Sequence, residues 1–411
     1  MSDDASDRRD RAIGPPVALG DVVDLTIDKL VAGGDGLARH ASGRVVFVTG
    51  VLPGEQVTAE ITEVRKDLAR AAIVSIASPS SRRVAPPCPS IELGCGGCDW
   101  QHIDAAHQLE QKVAIVRDGL ARLARLPDAP VRAGLDTVDP SISRGRTTVR
   151  LGVYGDGRPA YRRRRSNHLI AVNDCMVLHP ALEDLLGKVR APGATEVIMR
   201  VADATGERAV SIVGRSRKGA MPTDALVGDD AVVHERVAGA TLSVSMGSFF
   251  QSSRHAAELL VAAVRGPLTE AMPERIVDAY GGAGLFTAAL ASDVPGARWT
   301  LIESNASATA DARRNLAGTG VKIITGDVAK WRVDPADVII ADPARPGLGR
   351  SAASTLVASG AGRIILVSCD AASMARDTAL LMEHGYVLND AQVLPVFPHT
   401  SHVEIVSTFT R

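Results

Sequence analysis

From residue 275 onward the chain repeats one alternation: a short β-favouring apolar run, then a helix-compatible stretch. The runs read RIVDAY, ARWTLIES, VKIIT, DVIIA and RIILVS. Few folds accept this pattern. A strand, a helix and a further strand make a parallel pair, because parallel neighbours need a crossover of that length. The segment therefore predicts a doubly wound α/β sheet. GYVLNDAQVLPVF and HVEIVSTFT follow it and predict an antiparallel pair at one edge.

The 411 residues allow two to three domains. Residues 1–18 are charged, have no apolar signal core and read as a disordered tail. Residues 19–78 hold short alternating strands broken by Gly and Pro, the pattern of a small OB-type β-barrel. The Pro- and Ser-rich stretch PSSRRVAPP then opens a central α/β region, residues 79–240, and the sheet domain occupies 241–411. Within the barrel, GGDGLAR and VLPGEQV resemble a TRAM domain, a small RNA-binding barrel. No apolar run approaches ~18 residues, so the sequence predicts no membrane span and a cytoplasmic protein. Net charge is only −1, which leaves polyanion binding to local clusters. One such cluster lies between Ser141 and Arg165, with eight Arg against one Asp, and predicts phosphate contact.

Three strand ends carry cofactor chemistry. The first enters DAYGGAGLF, where glycines let the backbone approach a ligand; Thr287 stands where a dinucleotide motif would place its third glycine. The second ends at Glu303, placed to hold a ribose diol, and the third leads to Asp327, placed for an adenine amino group. Each acid also suits a helix N-cap. Taken together they predict bound adenosine, and the missing pyrophosphate fingerprint favours S-adenosylmethionine over NAD. Asp342 follows the fourth strand in IIADPARPGLG, at the same edge.

The five cysteines divide into four and one. Cys88, Cys95 and Cys98 form C-x6-C-x2-C, and Cys175 is a distant fourth. That set suits four-thiolate binding of a [4Fe–4S] cluster or Zn²⁺, with glycines at 94, 96 and 97 relieving crowding. Cys369 is left over, at the end of the fifth strand and before a helical stretch. A helix N-terminus lowers a thiol pKa, so this position predicts a thiolate nucleophile.

F-x-Q at 249–251, D-x-Y-x-G-x-G at 278–284, D-P-x-R at 342–345, S-C at 368–369 and F-P-x-T-x-H-V-E at 397–404 occur in this order. In these motifs the chain resembles the S-adenosylmethionine-dependent RNA uracil-C5 methyltransferases, over nearly its whole length. The resemblance implies a class I methyltransferase domain behind a TRAM barrel. It implies Cys369 as the nucleophile that adds to uracil C6, and Glu404 as the base that removes the C5 proton. It further implies cofactor contacts at Gln251, Tyr280, Leu285, Glu303, Asp327 and Asp342. By resemblance to a TRAM-bearing branch, the thiol set favours the iron–sulfur cluster, and the substrate is ribosomal rather than transfer RNA, acted on by a monomer. Asp370, Ala371, Ser253 and Pro395 stand where relatives carry other residues; these changes bear on substrate positioning, since Cys369 and Glu404 remain. The competing readings are a tRNA uridine or RNA cytosine-C5 methyltransferase, or a non-catalytic iron–sulfur RNA-binding or redox-sensing protein.

Overall fold

Alternating burial along Gln56–Val64, with Val57, Ala59 and Ile61 inside and Glu60 outside, shows how the first strands close on themselves. In the computed structural model, which describes residues 16–134, 144–216 and 219–411, five strands form a closed barrel. They are Val22–Leu30, Gly36–Arg39, Val45–Val48, Gln56–Val64 and Leu68–Ser78. The third pairs parallel with the fifth, and the other neighbours are antiparallel. Leu25, Ile27, Val46 and Ile61 fill the interior.

The barrel unit comprises the chain through Pro87 together with 99–111 and 399–401. Trp100 is fully buried in it and donates its indole N–H to the Gly34 carbonyl at 3.1 Å. Glu55, also fully buried, accepts two bonds from the Arg83 guanidinium at 2.7 Å and backbone bonds from Leu52 and Ser80. Burial alone would raise its pKa; the bonds from Arg83, Ser80 and Leu52 outweigh it and hold the pKa below the ordinary value. Glu55→Gln strands the Arg83 charge and should cost about 3 kcal/mol, read as a lower denaturant midpoint for the barrel. An unchanged midpoint would refute that role.

The second unit holds 88–98, 112–398 and 402–411. Its six-stranded sheet runs, in spatial order, Leu226–Val227, Arg208–Val213, Glu196–Val201, Thr148–Val153, Pro159–Arg162 and Leu169–Ile170. Helix Pro180–Lys188 buries Leu182 and Leu185 in the same core. A hairpin, Val232–Val237 with Ala240–Ser245, leads to the main sheet.

That sheet has eight strands, ordered Lys322–Thr325, Arg298–Glu303, Arg275–Ala279, Val338–Ala341, Arg363–Ser368, Ile405–Thr410, Val387–Val393 and Val131–Ala133. The first five are parallel, as the alternation predicts. The last two runs do pair antiparallel, but not at the edge: Val131–Ala133 lies outside them, parallel to Val387–Val393. A three-residue strand after Pro130 is too short to show a period, which is why the sequence conceals it. Chain order reverses between Arg275–Ala279 and Val338–Ala341, and at such a switch point the loops part and leave a crevice at the carboxyl edge. Among the described residues, no helix is long and apolar enough to cross a membrane.

Candidate active site

The first strand leaves the sheet through residues 280–284. Gly281 is required for space, because a Cβ there would lie 2.6 Å from Leu301 Cγ. Tyr280 takes a φ of 61°, a conformation rare outside glycine and concentrated at functional sites. The Gly282 N–H donates to Glu303 Oε2 at 3.1 Å and the Asn305 N–H to Oε1 at 2.6 Å. Glu303 is thus oriented from both sides, and a carboxylate keeps acceptor capacity beyond those two bonds. Tyr280 is pushed up to about 12 by burial and then by the charges of Asp327, Asp377 and Glu303. Asp327 is exposed and caps a short turn by accepting the Ala329 N–H at 2.9 Å. Leu285 buries its side chain in the hydrophobic core, so only its backbone faces outward chemistry.

Thr287 accounts for the absent third glycine. Its N–H and hydroxyl both donate to Asp278 Oδ2, at 3.2 and 2.6 Å, and lock that buried carboxylate under the glycine loop. Among the described residues Asp278 Oδ1 has no hydrogen-bond partner. Burial raises the Asp278 pKa to about 6; the Thr287 bonds lower it and the Glu303 charge raises it further. Neither Asp278 nor Thr287 stands out in the sequence as a site residue, since the signal is a bond across nine positions.

A second group gathers around Cys369. Gln251 is buried and its Nε2 stands 3.5 Å from Asp342 Oδ2, the outer limit of a hydrogen bond. Asp342 is raised to about 7 by burial and then by Asp278. Glu404 is 4% exposed and is raised well above its ordinary value by burial and by Asp342. Cys369, half-buried, is raised to about 11 by burial, then by Glu404 and Asp342, with Arg345 opposing. Burial and the Glu404 and Asp342 charges thus work against the thiolate that the helix N-terminus predicts, and Arg345 works for it. The helix after Cys369, Ala371–Glu383, is capped by Asp370, whose Oδ1 accepts the N–H groups of Ala372 at 3.0 Å and Ser373 at 2.8 Å. The donors that would favour a thiolate are spent on a carboxylate. Ser253 likewise caps helix Arg254–Glu270 through the Ala256 N–H. Two of the sequence departures are thus working caps.

The structure does not show the ligand set expected of Cys88, Cys95, Cys98 and Cys175 as a metal site. Among the described residues, no group of three or more His, Cys, Asp or Glu side chains is arranged to hold a metal ion. The thiols do approach each other: Cys95 is raised by burial and then by the charges of Cys175 and Cys88, and it packs against the core that contains Cys175. An all-sulfur donor set suits a soft metal.

The arginine cluster is partly neutralised. Arg144 pairs with Asp174 and Glu183, Arg158 with Asp156, and Arg150 and Arg162 share Glu196. Only about half the charge counted in the sequence is thus uncommitted to these pairs, and the backbone of Arg162 and Arg164 bonds Gly96 and Gly94.

A parallel sheet with a glycine loop at its switch point and acids at successive strand ends fits a class I methyltransferase domain. Comparison with known proteins agrees: residues 16–74 match the TRAM domain and residues 251–363 the Methyltransferase small domain. An uncharacterized RNA methyltransferase of Streptomyces coelicolor is 35% identical, over 98% of this chain and 96% of its own length. The 23S rRNA (uracil(1939)-C(5))-methyltransferase RlmD of Pectobacterium atrosepticum is 29% identical, over 94% and 93%. In fold, the chain is similar to the Pyrococcus abyssi tRNA (uracil-54, C5)-methyltransferase solved with S-adenosyl-L-homocysteine, at a TM-score of 0.70, 22% identity, and coverage of 94% of this chain and 99% of that one. The chain belongs to the TRAM-bearing RNA methyltransferase family and is an S-adenosylmethionine-dependent RNA methyltransferase.

Proposed function

We propose that this enzyme transfers a methyl group from S-adenosylmethionine to C5 of a uridine in RNA, ribosomal RNA foremost, through a covalent adduct with Cys369. The observation that carries the reading is the register of two adjacent strands: Ser368 pairs with Ile405, which brings the Cys369 thiol and the buried Glu404 carboxyl group together at the sheet's carboxyl edge. The RlmD relative, similar over nearly the whole chain, supports the base, the position and the RNA.

The residues divide the chemistry as follows. Uracil C5 is too electron-poor to attack a methyl group. Cys369 gives up its proton to water and its Sγ adds to C6, which makes C5 an enolate carbon; C5 then displaces the methyl group from the sulfonium and leaves S-adenosylhomocysteine. Glu404 then takes the C5 proton, and the Cys369–C6 bond breaks as C5=C6 reforms. A carboxylate with a raised pKa is the stronger base for that step. Asp342, near neutrality, is able to donate to the enolate oxygen when protonated. Arg345 is the cation that favours ionisation of Cys369. Gln251, Tyr280, Leu285, Glu303, Asp327 and Asp342 hold the cofactor, with Glu303 on the ribose.

Burial raises Asp278, Asp342 and Glu404, and Asp278 further raises Asp342 as Asp342 does Glu404, so these carboxyl groups resist ionising together and a sulfonium cation beside them would favour their ionised forms. The sign follows. Asp342 is raised to about 7, so below that pH it is neutral and loses its attraction for the cation. S-adenosylmethionine affinity should level off above pH 7 and fall by up to about tenfold per unit below it. S-adenosylhomocysteine, which lacks the charge, should show a shallower slope by calorimetry; equal slopes would refute the pairing.

The reading includes an iron–sulfur centre at Cys88, Cys95, Cys98 and Cys175, with zinc as the alternative. Its support is the all-thiol donor set and the proximity of Cys95 to Cys88 and Cys175. Bound there, the group would brace the central region, and no step of methyl transfer runs through it.

The test of position is RNA labelled with tritium at uridine C5. Methylation at C5 must release the label to water, one for each methyl transferred. Methyl incorporation without release would reject the proposal.

A further inference from the structure

We infer that Arg200 is a positioning residue for methyl transfer that acts through Gln251, an inference that rests on Gln251 as a cofactor contact. Arg200 lies on the strand Glu196–Val201, in no motif, and is only 4% exposed. Its Nη1 donates to the Ser245 carbonyl at 2.7 Å and its Nη2 to the Ser248 carbonyl at 2.8 Å, while Nε reaches Thr148 Oγ1 at 3.3 Å. Those two carbonyls flank the turn that ends the hairpin and starts Phe249, Phe250 and Gln251. A guanidinium spans both at once because its donors are fixed in a planar fork; an ammonium on a flexible stem does not.

An anion grips the same turn from another element. Asp311, on helix Ala306–Asn315, is fully buried. Its Oδ2 accepts the Ser245 N–H at 2.8 Å and the Ser248 hydroxyl at 2.5 Å, and its Oδ1 accepts the Ser245 hydroxyl at 2.6 Å. Asn305 extends the tie: its Nδ2 donates to the Gly247 carbonyl at 3.3 Å and its N–H to Glu303 Oε1 at 2.6 Å. The turn that carries Gln251 is therefore bonded to the same loop that orients Glu303.

Buried charges of opposite sign add little net stability, so their value here lies in the geometry they impose. That geometry sets Gln251 Nε2 against Asp342. Loss of one arm of the fork should let the amide drift while the fold persists.

A double-mutant cycle on S-adenosylmethionine affinity, measured by calorimetry well below the unfolding temperature, separates positioning from plain stability. Arg200→Lys and Gln251→Ala should each weaken binding about tenfold, and the double variant should be no weaker than Gln251→Ala alone. Should Arg200→Lys fold poorly, Ser248→Ala removes the hydroxyl's bonds to Asp311 and Ser307, leaves the Arg200 fork in place and should give about a threefold loss that also vanishes in the Gln251→Ala background. Multiplying losses, or full affinity in folded Arg200→Lys or Ser248→Ala, would overturn the inference and leave Gln251 a cofactor contact. An Arg200→Lys loss with Gln251→Ala unaffected would overturn both.

Discussion

Glu404→Gln is expected to turn the enzyme into one that methylates its substrate once and stays bonded to it. The amide cannot accept the C5 proton, so the Cys369–C6 bond has no route to break after methyl transfer. Addition itself should not suffer, because burial first and then the Glu404 charge hold the Cys369 thiol high, and the substitution removes that charge. Turnover should fall by about 10²–10⁴-fold. With ordinary uridine RNA and S-adenosylmethionine, a denaturing gel should show a methylated RNA–protein band absent from the wild type. Clean loss of both product and adduct would mean that Glu404 acts before methyl transfer.

Cys369→Ala should abolish methyl transfer, by at least about 10⁴-fold, since no neighbouring group replaces a covalent nucleophile. Cofactor affinity should change by less than about twofold, because at neutral pH a thiol with a pKa of about 11 carries no charge for the sulfonium to feel. That split, chemistry lost and binding kept, separates a nucleophile from a structural cysteine. A parallel loss of affinity and fold would return Cys369 to a packing role.

Much of this site is visible in the sequence because its parts are local. The glycine loop, Glu303 and Asp342 each sit at the end of a strand that periodicity alone reveals, and strand ends of a parallel sheet share one edge. What stays hidden depends on partners far along the chain. Thr287 looks like a broken motif until its two bonds to Asp278 are seen. Arg200 reaches Ser245 and Ser248 across more than forty positions and has no neighbours that mark it. The setting of the Cys369 thiol is hidden for a related reason: a strand–helix junction suggests free N–H donors, but Asp370 accepts two of them. Charge counting misses partners of the same kind, since Glu196 and Glu183 pair with arginines that look free in a linear string.

The expected iron–sulfur ligand set tests the limits of spacing as evidence. C-x6-C-x2-C brings three thiols onto one loop, but closing a ligand shell also requires Cys175 to come from the core. Cys175 is 9% exposed in the core with Leu178 and Leu182, and Cys95 packs against that core. Spacing says nothing about that last approach.

The most direct measurement uses RNA carrying 5-fluorouracil in place of the target uridine. Fluorine at C5 cannot leave as a proton does, so elimination is blocked after methyl transfer. Incubation with S-adenosylmethionine should give a denaturation-stable complex, and mass spectrometry should find the methylated fluorouracil attached to Cys369. No complex should form with Cys369→Ala. A complex that survives that substitution, or normal turnover without any adduct, would contradict the account at its centre.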